Sequence, residues 1–235
     1  MFLVLAAALP FAYDGNLRAG QSLTIRDING GVRVRTGERL AIRATKRAER
    51  GDPNEVAIHV DTHPEGILVC VRYPPDAAST CAGGSHHDNK ANNTVVDFDV
   101  TVPHGIVLDA NTVNGSVDAV NDGPTDASSV NGTVRVEGRD VRSAQTVNGS
   151  VIVRIRNRAR GTLEARTVNG AIEVSLPAGS GVDLEAKTLT GEINADGVSV
   201  ERPRFGPGSR ASATIGDGAR RLRLETVNGS ITVRR

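Results

Sequence analysis

The chain contains no tryptophan, and aromatic residues make up only 3% of its 235 residues. Any large core must therefore be built from Val, Ile, Leu and Ala. A sugar-binding groove walled by aromatic faces is disfavoured for the same reason. Neither sign of charge dominates, with 28 Lys and Arg against 27 Asp and Glu. The basic excess that marks a nucleic-acid partner is missing, so no specific nucleic acid is expected. No apolar run reaches the roughly 20 residues that span a bilayer, so no transmembrane segment is expected. The longest run, residues 1–12, has the length and small-residue ending of an export-signal core, although no Lys or Arg precedes it. The other reading of that run is a buried N-terminal strand. No Gly-x-Ser-x-Gly elbow, phosphate loop or zinc-protease helix occurs. Catalytic residues, cofactors and a resident metal are accordingly not expected. No segment shows helical periodicity.

What is abundant is glycine, with 26 copies, and much of it sits in a repeat. Thr-Val-Asn-Gly-Ser-Val or a close variant recurs around Asn114-Gly115, Asn131-Gly132, Asn148-Gly149, Asn169-Gly170, Thr190-Gly191 and Asn228-Gly229, with an early copy at Asn29-Gly30. From Gly115 to Gly191 the spacings are 17, 17, 21 and 21 residues, and the step to Gly229 is 38. That long step contains a Pro/Gly-rich insert at residues 202–208. Alignment on the glycines produces columns. Val or Leu stands two residues before, Thr or Ser three before, and Ala110, Ala127, Ala144, Ala165 and Ala186 five before. After the glycine, apolar residues alternate with polar ones, as in Val134-Arg135-Val136, which is the period of a half-buried strand.

Two architectures accommodate this pattern. In one, each Asn-Gly is a hairpin turn of an antiparallel meander. In the other, each is a corner of a right-handed β-solenoid of 17–21-residue coils, with like residues stacked on like. The matched columns favour the solenoid. The fold class is therefore all-β. Residues 1–14 read as an export signal or its remnant, residues 15–104 as an N-terminal β region capping the stack, and residues 105–235 as the repeat. The insert after Glu201 reads as a loop bulging from one coil. Arg234 and Arg235 read as charges on an edge strand that discourage further pairing. Cys70 and Cys81, in a polar stretch of an exported chain, read as a disulfide pinning a long loop.

The motif Thr-Val-Asn-Gly-Ser-Val near a 20-residue period, with Leu23-Thr24-Ile25-Arg26-Asp27-Ile28-Asn29-Gly30 at one end and Leu222-Arg223-Leu224-Glu225-Thr226-Val227-Asn228-Gly229-Ser230-Ile231 at the other, resembles the bacterial putative-adhesin family of β-strand-repeat domains. The resemblance covers most of the chain. It implies a strand-rich, solenoid-like fold and a location in the cell envelope, and it carries over no catalytic residue. Thr190 departs from the family pattern, where Asn is replaced, and is expected to weaken one turn.

Other candidate sites have bland alternatives. His86, His87 and Asp88 lie in a Gly/Ser/Asn-rich stretch and read as a solvated loop rather than metal ligands. Asp97 and Asp99 share a strand face without a catalytic context. Asp118 beside Arg135 reads as surface ion pairing. Arg154, Arg156, Arg158 and Arg160 alternate, so a continued strand would present all four to an anionic polymer. Four of the five Asn-x-Ser/Thr sequons are simply the repeat's turn. The expected function is a non-catalytic, exported envelope protein of adhesin or scaffold type, in the periplasm, on the outer surface or secreted, with an unknown surface ligand. The competing readings are a carbohydrate-active solenoid enzyme and a periplasmic stress accessory.

Overall fold

The computed structural model describes residues 9–48, 50–81, 92–158, 160–201 and 207–235. Their strands are β1 (Leu9–Gly15), β2 (Ser22–Arg26), β3 (Val32–Thr36), β4 (Leu40–Arg47), β5 (Ala57–His63), β6 (Gly66–Arg72), β7 (Val95–Val102), β8 (Val107–Asn111) and β9 (Val117–Ser128). They continue as β10 (Val134–Gln145), β11 (Val151–Ile155), β12 (Gly161–Asn169), β13 (Ile172–Ser175), β14 (Val182–Thr190), β15 (Ile193–Ala195), β16 (Ser209–Ile215), β17 (Arg220–Asn228) and β18 (Ile231–Arg234). The only helical elements among the described residues are single 3-10 turns at Pro53–Glu55 and Asp76–Ala78. The fold is all-β.

Strands on the two sides of an Asn-Gly do not pair with each other. Each pairs in parallel with the equivalent strand of another repeat, so the repeats are not hairpins. Val134 lies beside Val117 and Val151, Val151 beside Ile172, and Ile172 beside Ile231. Each repeat thus contributes one rung to two rows of strands. Before the corner the row runs β5, β6, β2, β8, β9, β10, β12, β17, β14, β16. After the corner it runs β1, β4, β7, β3, β9, β10, β11, β13, β18, β15. The long strands β9 and β10 pass through both rows, the first half in one and the second half in the other. Period-2 alternation sends Val, Ile, Leu and the Ala column inward, and both rows share one buried core.

Three sequence expectations are revised. First, rungs do not stack in chain order. β17 and β18, the last strands, lie between β12/β13 and β14/β15. Arg234 is therefore on an internal strand, not an edge, and β18 already has partners on both sides. Second, the stretch after Glu201 is more than a bulge. Residues 202–206 lie outside the described residues, but β16 follows and runs antiparallel to β14, finishing that end of its row. Third, the N-terminal region is more than a cap. β2 and β3 flank Asn29 and form the first rung themselves, while β5/β6 and β1/β4 extend the two rows beyond it with antiparallel pairs. Residues 9–14 of the segment read as an export signal belong to β1, paired with β4, and residues 1–8 lie outside the described residues.

Cys70 and Cys81 form a disulfide, with Cα atoms 5.7 Å apart. It ties the far end of the 73–81 loop back to β6. The chain-entropy argument for so short a loop assigns the bond roughly 3 kcal/mol. Cys81→Ser, compared with the parent in urea, is expected to lower the unfolding free energy by about that amount without changing the strand content seen by circular dichroism.

Candidate binding surface

The corner is the most regular feature of the molecule. Each Asn side chain donates from its amide nitrogen to the Oδ1 of the Asn one rung away: Asn114 to Asn29, Asn131 to Asn114, Asn148 to Asn131, Asn169 to Asn148 and Asn228 to Asn169, at 2.7–2.9 Å. The Thr190 hydroxyl completes the line by donating to Asn228 Oδ1 at 2.7 Å. Behind it runs a buried hydroxyl column. Thr112, Ser129, Thr146, Thr167, Thr226 and Thr188 each donate to the glycine carbonyl of an adjacent rung at 2.8–3.0 Å. Two polar columns are thus satisfied within the stack, and for the buried hydroxyl column such partners are a requirement. The glycines permit this closeness. A Cβ on Gly115 would stand 1.8 Å from the Gly30 oxygen, and one on Gly170 1.9 Å from the Gly149 oxygen.

The one departure in the Asn column and the one in the hydroxyl column fall on the two end rungs of the ladder. Thr190 belongs to the outermost rung, where no further Asn needs a partner. At the opposite end Asp27 occupies the position held elsewhere by Thr or Ser. It is 4% exposed, and its Oδ1 accepts from the Ile28 N–H at 2.8 Å. Burial, reinforced by the nearby Asp97 charge, pushes its pKa up to about 8 against hydrogen bonds from the Ile28 and Asn29 amides that favour the anion. The folded chain therefore keeps a proton that the unfolded chain releases above about pH 4. This contribution to stability is intact below pH 4 and is lost as pH rises to about 8. Asp27→Asn should remove that component. Urea midpoints at pH 5 and pH 8 are expected to differ less in the variant than in the parent, with the variant the more stable at pH 8.

Immediately outside the hydroxyl column stands a column of aliphatic side chains. Val113, Val130, Val147, Val168 and Leu189 are between 37% and 48% exposed, and they are the exposed large hydrophobics of the described residues. The repeat alignment contains this column without revealing that it faces outward. The signal was present, because a residue next to an inward Thr must point out by strand parity.

Beyond the corner, an open trough of about 450 Å³ crosses the outer face after the Asn-Gly, lined by Gly31, Arg33, Asp97, Ser116, Asp118 and Arg135 among others. Its charges are largely spoken for. Asp97 accepts from the Gly31 N–H and pairs with Arg47. Arg33 lies 3.8 Å from Asp99. Asp118 takes both guanidinium nitrogens of Arg35, at 3.3 and 3.2 Å, rather than pairing with Arg135 as expected. On the opposite face Asp109 and Asp126 are neighbours in register, and burial together with Asp109 raises the Asp126 pKa.

The four arginines do not share one strand face. β11 ends at Ile155. Arg154 lies on its outer face, Arg156 leaves the strand to pair with Glu137 at 2.7 Å, Arg158 lies against Gly179, and Arg160 borders a cleft with Asp126, Asp140 and Glu164. Among the described residues no group of three or more His, Cys, Asp or Glu could hold a metal ion. His86, His87 and Asp88 lie outside the described residues. No helix among the described residues is long and apolar enough to cross a membrane.

No protein-family model matches the chain, and no curated protein matches it. Among solved structures it is similar to a putative cell adhesion protein from Clostridium sporogenes, at 15% identity over 96% of this chain and 99% of that one, with a TM-score of 0.45. Putative adhesins from Bacteroides fragilis and Parabacteroides distasonis are each 7% identical, with TM-scores of 0.27 and 0.26 and at least 96% of each chain covered.

Proposed function

We propose that this chain is a non-catalytic, exported envelope protein of the adhesin type, built as a right-handed β-solenoid whose stacked coils hold a rigid surface toward a ligand. The observation that carries this reading is the unbroken side-chain ladder from Asn29 to Thr190, which fixes every rung in one register. Right-handedness follows from the strong preference of parallel crossovers for that hand. Rigidity suits a surface that binds by pre-organisation, because little ordering entropy remains to be lost on contact. The outer faces are open troughs with paired charges, a better match to a docking face than to an enclosed reaction site.

Protease shaving of intact cells of the native organism, with a C-terminal tag and fractionation, tests the placement. Loss of the tag from intact cells is the expected result. Protection until the outer barrier is broken would contradict the adhesin reading and favour a periplasmic scaffold or stress accessory.

A further inference from the structure

We infer that the aliphatic ridge along the Asn-Gly corner is a self-association surface that pairs two copies of this chain side by side, with their stacks parallel and in register. The exposed large hydrophobics of the described residues all lie in this single column. Scattered exposed aliphatics need no explanation, but a continuous line of them marks an interaction site. Its surroundings are those of an interface centre. On the rungs of Val113, Val130 and Val147, the flanking outward columns hold only Asn, Ser, Thr and Gln, in a chain where 23% of residues are charged. Depletion of charge around an apolar centre is the compositional mark of a protein interface.

A second copy is the partner this surface fits best, because the ridge is periodic. Like residues recur at the inter-strand spacing of ~4.8 Å, and only another stack of strands offers the same period along its whole length. The six rungs from Val113 to Leu189, Val227 among them, give a strip about 24 Å long by that spacing. With one polar column on each side the strip is about 17 Å wide and covers about half of the ~800 Å² per partner of a stable complex. A reversible pair is therefore expected rather than an obligate dimer.

Charge selects the parallel arrangement. A two-fold axis along the ridge places each rung against the same rung of the second copy, with the two flanks exchanged. On the outermost rung the flanks are Lys187 on one side and Glu192 on the other, so opposite charges meet. An antiparallel pairing centred on the ridge would instead set Arg26, at the first rung, against Lys187, at the last. Like charges across a contact are unfavourable.

Sedimentation velocity over a wide range of concentration, together with single-cysteine crosslinking on the intact disulfide-bonded chain, tests the inference. The parent is expected to show a reversible monomer–dimer equilibrium. Val130→Thr combined with Val147→Thr keeps β-branched residues on the strands and should weaken dimerisation at least tenfold, with melting temperature nearly unchanged. Val130→Lys with Val147→Lys should abolish it. Val113→Cys, Val130→Cys and Val147→Cys should each give a disulfide-linked dimer at similar rates. A parent that stays monomeric throughout, or a dimer that survives both double variants, would overturn the inference. Crosslinking confined to one rung would overturn the parallel arrangement.

Discussion

Gly132→Ala is expected to destabilise the chain by more than about 3 kcal/mol, near the upper end for a single substitution. The added Cβ would stand 2.0 Å from the Gly115 oxygen and 2.5 Å from its carbonyl carbon, both of them backbone atoms of the next rung. Neither is the end of a flexible side chain, so relief requires the rungs to separate. Separation would break the amide bond from Asn131 to Asn114 and the hydroxyl bond from Ser129 to the Gly115 oxygen at once. A glycine outside the corner provides the control. Gly20 has a left-handed φ of 87°, and a Cβ added there would meet nothing within 4 Å, so Gly20→Ala carries only the cost of the backbone conformation. Urea unfolding of the two variants beside the parent should place Gly20→Ala below the parent by the roughly 1–2 kcal/mol of a left-handed alanine, and Gly132→Ala well below that, or yield no folded Gly132→Ala protein.

Removing the last two strands should abolish folding. Strands at the end of a stack are normally the ones it can spare, since repeats contribute nearest-neighbour terms. Here β17 and β18 are internal, and truncation after Ala219 would strip partners from β12, β13, β14 and β15 together. It would also remove the buried side chains of Leu222, Leu224, Ile231 and Val233. At roughly 1.5–3 kcal/mol each, their burial is comparable to the whole stability of an ordinary domain. Expression of the truncated chain is expected to give insoluble or unfolded material. A soluble product with the parent's strand signal would show that the C-terminal rung is dispensable.

The repeat itself was legible. Val117, Val134, Val151 and Ile172, aligned on their glycines, do lie side by side, and the Ala column is buried. The β character of the N-terminal region was also legible, and the cysteine pair indicated the disulfide. The order of the rungs was not legible. When every rung carries the same Thr, Val, Asn and Gly, any rung can neighbour any other, and column identity cannot rank them. The one clue was Thr190. Its lack of an amide suits a terminal rung, whereas stacking in chain order would have placed it inside the ladder, with the 226–231 repeat beyond it. The arginine run misled for a different reason. Alternation extends a strand only while backbone partners continue, and β11 stops at Ile155 where β13, beside it, also stops at Ser175. Asp118 was assigned to Arg135 because adjacent rungs put them in register, but the longer reach of Arg35 from two residues further along β3 supplies a bidentate geometry that a directly opposed pair lacks.

The order of rungs is the central structural claim, and paired cysteine substitutions on the exposed ridge test it most directly. Val168 and Val227 lie on adjacent rungs, between the register pairs Thr167–Thr226 and Asn169–Asn228. Val227 and Leu189 are adjacent in the same way, between Thr188–Thr226 and Thr190–Asn228. Under dilute conditions, Val168→Cys with Val227→Cys and Val227→Cys with Leu189→Cys should each form an intramolecular disulfide on mild oxidation, while Val168→Cys with Leu189→Cys should not. Rapid closure of the 168–189 pair, with the 168–227 pair remaining open, would mean that the rungs stack in chain order and would contradict the fold described above.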